Sequence, residues 1–282
     1  MKKLGLIWEN AKFSRIMFVL PFAYIGMFLA ARGLPTLAQF VWITVAMASA
    51  RTLTLSLNRV VDKELDSRHP VERFRPVPAG LLSVWEVLLV VFLCLILLLL
   101  SAWQLNELTL KLAPVAVVLL VGYNFTKYFT WACNFGVGLT QACGPVGAWI
   151  GVTGNLSWEA MVLGLIVFFW GNGFDLMQTC RDVDFDRSQK THSFAVRFGV
   201  ATTLLWSSIM HVVAFALLVV LGVMMTLSWP YWVGIIIGGG ILFYEHLIVH
   251  PADLSRINFA WVDLNGYFSL IVMVFTFGAL FI

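Results

Sequence analysis

Five polar side chains fall at helical spacing in two places of a very apolar chain: Asn58, Asp62 and Asp66, each four residues apart, and Asp182 and Asp186, also four apart. At 3.6 residues per turn, each set lines one face of a helix and presents only oxygen-bearing groups there. Two such faces opposed would repel unless cations lay between them, and an all-oxygen, carboxylate-rich site suits Mg²⁺ rather than zinc or copper. Mg²⁺ usually shares its shell with substrate phosphates, so the pattern points to chemistry on a phosphorylated ligand. The plainer alternative is that these carboxylates are solvated helix ends balanced by Arg59, Lys63, Arg181 and Arg187. The same spacing occurring twice favours the site.

The elements that must position these acids are set by composition. Of 282 residues, 60% are hydrophobic and 12% charged, with a mean hydropathy of +0.89. So few charges exclude a water-soluble globule and make the bilayer the solvent for most of the surface. Apolar runs long enough to span occur at about 16–31, 38–57, 84–103, 110–126, 130–151, 158–178, 202–226, 231–249 and 259–281. They are unbroken, as in LLVVFLCLILLLL, which excludes alternating β-barrel strands. The expected fold is all-α, a bundle of nine transmembrane helices, and both acidic sets fall in long charged loops, at 58–80 and 182–198.

Nine crossings divide the loops between two sides. Of the 18 Lys and Arg residues, the side with the acidic loops takes nearly all, from Lys2, Lys12 and Arg15 to Arg256. The other side takes Arg32 and Lys111, and Arg51 falls inside a span. The positive-inside rule makes the first side cytoplasmic, with the N-terminus there. Topology thus accounts for the net charge of +3, and no nucleic-acid partner is expected. The N-terminal stretch MKKLGLIWENAKFSR lacks the pattern of a cleaved signal peptide. Cys94, Cys133, Cys143 and Cys180 lie singly in apolar segments, which suits packing rather than a disulfide framework or a zinc site. His246 and His250 are four apart, but Pro251 ends the helix there and a loop-shaping role fits them better than a metal pair.

The segments NRVVDKELD with the downstream RPVPAG, then DVDFDRS, then EHLIVHPADLSRINFAWVDLNGYFS resemble the UbiA superfamily of intramembrane aromatic prenyltransferases, most closely its 4-hydroxybenzoate polyprenyltransferase branch. The resemblance runs from Pro21 to the NGYFS segment. It implies one UbiA-like domain over residues 1–282 in the inner membrane. The implied reaction is Mg²⁺-dependent transfer of a polyprenyl group from its diphosphate to a ring carbon of a 4-hydroxybenzoate-like aromatic acid, in quinone biosynthesis. Asn58, Asp62, Asp66, Asp182 and Asp186 would hold the metal, and Asp182 would also assist loss of the phenol proton. Tyr123 and Lys127 match positions that contact the diphosphate, with Arg59, Arg75 and Lys190 as further candidates. The chain departs from the family pattern at Val71, where a basic residue is usual, and at Gln189, Lys190 and Thr191, where a glycine-containing turn is usual. A naphthoate acceptor, as in menaquinone synthesis, is the alternative within the family, and a cation-coupled transporter the alternative outside it.

Arg51 and Asp175 each stand seven residues before the first residue of an acidic set. Seven residues of helix place them roughly 10 Å deeper on nearly the same face. A charge at that depth faces a cavity and needs a partner. Either the two meet across the cavity floor, or Arg51 holds the acceptor's carboxylate between its paired N–H groups.

Overall fold

The computed structural model of the protein describes residues 2–10 and 20–282. Within them every regular element is helical, and the β-bridge between His250 and Asp253 is isolated. In chain order the helices are α1 (Lys2–Asn10), α2 (Leu20–Ala31), α3 (Leu37–Val61), α4 (Lys63–Arg68), α5 (Val84–Leu105), α6 (Glu107–Thr126), α7 (Cys133–Thr153), α8 (Trp158–Arg181), α9 (Val183–Gln189), α10 (Phe194–Phe198), α11 (Val200–Met224), α12 (Trp229–Ile248) and α13 (Asn265–Ala279). A 3-10 turn at Glu72–Phe74 follows α4, and a π-helical turn at Phe259–Leu264 leads directly into α13.

The helix starts are encoded locally. Thr36 Oγ1 accepts from the Gln39 backbone N–H at 3.2 Å, while Gln39 Oε1 accepts from the Thr36 N–H at 3.0 Å. This reciprocal cap satisfies two donors that the first turn of α3 leaves unpaired. Ser83 and Glu86 repeat it at the start of α5.

Among the described residues, seven helices are long and apolar enough to cross a membrane: α3, α5, α6, α8, α11, α12 and the run Phe259–Ala279. The sequence leads one to expect nine. One of the two others falls on α2, whose described part has 12 residues; its expected start at 16–19 lies outside the described residues, as do Lys12 and Arg15. The other is α7, 21 residues long, in which glycines, Asn134, Thr140 and Gln141 replace large apolar side chains. The reason is where α7 faces: Asn134, Gly138, Gln141 and Gly144 are buried against other helices rather than exposed to lipid.

Of these seven, α8 is the most enclosed, with 67% of its most apolar stretch buried; it packs mainly against α11 and α7. At its centre Trp170 is fully buried, with the Phe22, Phe174 and Phe268 rings 4.8, 5.0 and 5.7 Å away between centroids. Its indole N–H donates to Asn265 Oδ1 at 2.7 Å, so the aromatic core also keeps its polar atom satisfied. Helix α2 reaches α7 through Gly26, where a Cβ would lie 2.5 Å from the Pro145 carbonyl oxygen.

Candidate active site

Both acidic sets are built by the same device. Helix α3 ends at Val61, Asp62 breaks the helical path at φ −91° and ψ 6°, and the short α4 follows. Helix α8 ends at Arg181, Asp182 breaks the path at φ −105° and ψ 8°, and the short α9 follows. Backbone hydrogen bonds carry the four-residue register through each break: Asp62 N–H to Asn58 O at 2.9 Å, Asp66 N–H to Asp62 O at 2.7 Å, and Asp186 N–H to Asp182 O at 2.9 Å. The acids expected on loops therefore stand on helix ends and short helices. A long helix followed by a short one changes direction at the aspartate without losing the alignment of donors that the sequence spacing implies.

The two devices open onto one polar cavity of about 280 Å³. Asn58, Arg59, Asp62, Asp66, Tyr123, Lys127, Asp175, Asp182 and Asp186 line it, with Arg51 at its inner end and Arg75 beside Asp66. Lys190 does not line it. It is exposed and adopts a left-handed backbone (φ 58°) where α9 ends. His246 is also elsewhere, on α12 rather than in a loop, with its Nε2 2.9 Å from His211 Nδ1. His250 lies beyond the helix, paired through its backbone with Asp253.

Every carboxylate of the two sets already has a partner. Asp62, nearly fully buried, faces the Lys127 ammonium at 2.5 Å and accepts from the Tyr128 hydroxyl at 2.8 Å and from Asn58 Nδ2 at 2.9 Å. Asp66 accepts from Arg75 Nη1 at 2.7 Å, with Arg59 at 3.9 Å. Asp182 is gripped in bidentate fashion by Arg181, at 2.8 and 2.7 Å, and approached by His69 Nε2 at 3.6 Å. Asp186 accepts from the Thr191 hydroxyl at 3.0 Å. Glu72, on the 3-10 turn, pairs with both Arg75 and Arg181 and so ties one set to the other across the cavity mouth. Burial raises the Asp66 carboxyl from its ordinary pKa, opposed by Arg75, and raises Asp186 likewise, opposed first by the Thr191 hydrogen bond. The Tyr128 phenol is raised too, by burial and then by the adjacent Asp62 charge.

Among the described residues, no three His, Cys, Asp or Glu side chains converge closely enough to hold a metal ion as they stand. The donor chemistry nonetheless fits a hard divalent cation: four carboxylates and the Asn58 amide oxygen share one cavity, with ammonium and guanidinium groups now on the carboxylate oxygens. A metal ion held by a diphosphate would take up the carboxylates and leave those cations to the phosphate oxygens.

Deeper in the bundle a second cavity, about 310 Å³, runs between α3, α5, α6 and α7. Its walls are almost entirely aliphatic, including Ile43, Met47, Leu98, Leu105, Leu112 and Leu119. Arg51 and Gln141 are the two described residues that line both cavities. Arg51 makes no ion pair with Asp175 within 4.0 Å; Asp175 accepts instead from Asn134 Nδ2 at 2.7 Å. The Arg51 Nε is buried with no hydrogen-bond partner.

In the sequence Arg181 reads only as a balancing charge, and His69, Glu72, Tyr128, Asn134 and Gln141 do not stand out as site residues. Tyr128 follows Lys127 directly, and Asn134 and Gln141 are amides inside an apolar run, which is the signal that could have marked them.

The family described as "UbiA prenyltransferase family" matches residues 19–272. A 4-hydroxybenzoate octaprenyltransferase of Aliivibrio fischeri (strain MJ11) is 26% identical over 100% of this chain and 99% of its own. Among solved structures, the apo structure of a UbiA homolog from Aeropyrum pernix K1 superposes with a TM-score of 0.84 at 24% identity, covering 93% of this chain and 96% of that one. A UbiA homolog from Archaeoglobus fulgidus bound to GPP and Mg²⁺ gives 0.72 at 18% identity, covering 98% and 100%.

Proposed function

The chain belongs to the UbiA prenyltransferase family, and from that premise we propose that it transfers a polyprenyl group from polyprenyl diphosphate to a ring carbon of a 4-hydroxybenzoate-like aromatic acid in quinone biosynthesis, with Mg²⁺ as its metal. The observation that carries this reading is the pair of joined cavities. A charged one holds both acidic sets and their cations, and an aliphatic one leads away from it into the bundle. A prenyl diphosphate has that same division, a compact anion on a long apolar tail. The names of the Aliivibrio fischeri relative and the Archaeoglobus fulgidus homolog support the acceptor and the metal respectively.

In this reading the protein is one domain with nine crossings, α2 and α7 completing the seven, and the polar cavity opens to the cytoplasm. Asn58, Asp62, Asp66, Asp182 and Asp186 hold the metal. Bound there, Mg²⁺ neutralises charge on the diphosphate and makes it a better leaving group. Lys127, with Tyr123 beside it, and the guanidinium of Arg59 meet the phosphate oxygens as the carbon–oxygen bond of the allylic diphosphate breaks and its electron pair leaves with the diphosphate. Lys190, exposed outside the cavity, is the weakest of the diphosphate candidates. The allylic cation that remains is enclosed by helices that exclude water, which would otherwise capture it. The ring carbon ortho to the acceptor's hydroxyl attacks it, and the ring proton is lost to restore aromaticity. Asp182 assists loss of the acceptor's phenol proton, which makes that ring carbon the stronger nucleophile, and Arg181 fixes where the Asp182 oxygens point. Arg51 binds the acceptor's carboxylate, while Asp175 is hydrogen-bonded to Asn134.

The test is to incubate membranes containing the protein with Mg²⁺, a polyprenyl diphosphate and either 4-hydroxybenzoate or a hydroxynaphthoate, and to identify products by mass. Prenylated 4-hydroxybenzoate is expected. Prenylated naphthoate alone would change the acceptor, and no prenylated aromatic with either acid would overturn the reading.

A further inference from the structure

Gln141 sits on α7 at the junction of the two cavities and lines both, a position it shares with Arg51. Its side chain is 6% exposed, and its Oε1 is buried with no hydrogen-bond partner. No described residue accepts from its Nε2. The Oε1 is turned into α8 and has nothing to offer an anion, which leaves the Nε2 donors, with no acceptor among the described residues, for a ligand's acceptor atom at the junction. A Cβ on Gly171 of α8 would lie 2.5 Å from Gln141 Oε1, so the amide oxygen rests directly against this glycine. Arg51, across the same junction, is likewise left with a buried, unpartnered Nε. A fixed cation and the donor end of an amide, both lining the place where a polar chamber meets an aliphatic one, make a receptor for a small anion with two acceptor oxygens. The diphosphate has its own cations at the other end of the polar cavity, and the prenyl tail offers nothing for an amide to bond.

We infer that Gln141 donates an N–H to the carboxylate of the aromatic acceptor, beside the grip of Arg51, and that it is a specificity-determining residue for acidic acceptors. This rests on the reading that the acceptor is an aromatic acid. Binding through both residues puts the carboxylate at the inner end of the polar cavity, so the acceptor's hydroxyl and its ortho carbon point outward, toward Asp182 and the diphosphate. An uncharged phenol lacks the group that Gln141 and Arg51 receive.

The test compares 4-hydroxybenzoate with 4-methylphenol as acceptors for wild-type protein and for Gln141→Leu, which keeps the volume and removes the polar atoms. The KM for 4-hydroxybenzoate is expected to rise by at least about tenfold, the scale of one hydrogen bond to a charged group. The KM for the prenyl diphosphate and the slow rate with 4-methylphenol should be unchanged. Should Gln141→Leu fail to accumulate in the membrane, Gln141→Glu has the same shape and sets a like charge against the carboxylate. It should impair 4-hydroxybenzoate and spare 4-methylphenol. An unchanged acceptor KM, or an equal loss with both acceptors, overturns the assignment and leaves Gln141 as packing between α7 and α8. Wild-type protein that prenylates no aromatic acid overturns the underlying reading, and this inference with it.

Discussion

Each acid of the two sets is held by a specific cation or hydroxyl, so substitutions that keep shape and remove charge separate electrostatic work from folding. Asp62→Asn, Asp66→Asn, Asp182→Asn and Asp186→Asn are each expected to lower turnover by at least about 100-fold, as when one transition-state electrostatic partner is lost. Near-normal turnover in two of the four would remove the shared metal site. Lys127 lies 2.5 Å from Asp62 and is the ammonium proposed to meet the leaving diphosphate. Lys127→Ala should raise the KM for the prenyl diphosphate far more than that for the aromatic acid; steady-state kinetics in which only the acid's KM moved would transfer Lys127 to the acceptor. At Arg51 the discriminating change is to lysine, which keeps the charge and loses the planar fork. Arg51→Lys should bind the acid poorly while folding normally. Asp175→Asn should disturb acid binding much less, because Asp175 is bonded to Asn134 rather than to Arg51.

Among the elements, the close contact of α2 with α7 is decided by one hydrogen atom. Adding a methyl group at Gly26 sets it 2.5 Å from the Pro145 carbonyl oxygen, and the backbone cannot turn aside as a side chain could. Gly26→Ala should therefore destabilise the protein by about 1–3 kcal/mol, the usual range for overpacking. Gly240, exposed on α12, has nothing within 4 Å of a Cβ. Gly240→Ala should be neutral or stabilise by up to about 1 kcal/mol through helix propensity. Denaturant titration in detergent checks the pair, and equal effects at both positions would mean that the α2–α7 approach is looser than the structure shows. Because α7 also carries Asn134 and Gln141, a shift of α7 after Gly26→Ala should reach the acceptor's KM as well.

For the whole molecule, the distribution of basic residues predicts that the polar cavity opens on the cytoplasmic side. In a cysteine-free background, Arg187→Cys on α9 and Asn155→Cys in the turn between α7 and α8, both exposed, should react with an impermeant maleimide from opposite sides. In sealed right-side-out vesicles the label should reach position 155 and not position 187, with the reverse in inverted vesicles. Labelling of both from one side would break the nine-crossing arrangement.

The sequence by itself determined the solvent, the all-helical class and the identity of the acids, because these follow from composition, unbroken apolar runs and a repeated four-residue spacing. It also determined the depth of Arg51 and Asp175, since helical rise is fixed by the backbone. Which groups meet at that depth was decided only by tertiary structure. Asn134 comes from a third helix to take Asp175, and Gln141 enters through a notch at Gly171. Neither contact has a local signal, because each joins side chains whose distance is fixed by how α7 packs on α8. The same limit applies to Arg181 and Glu72. A charge beside an acid in sequence reads as solvated balance, and only the fold turns it into a grip on Asp182 and a tie between the two acidic sets.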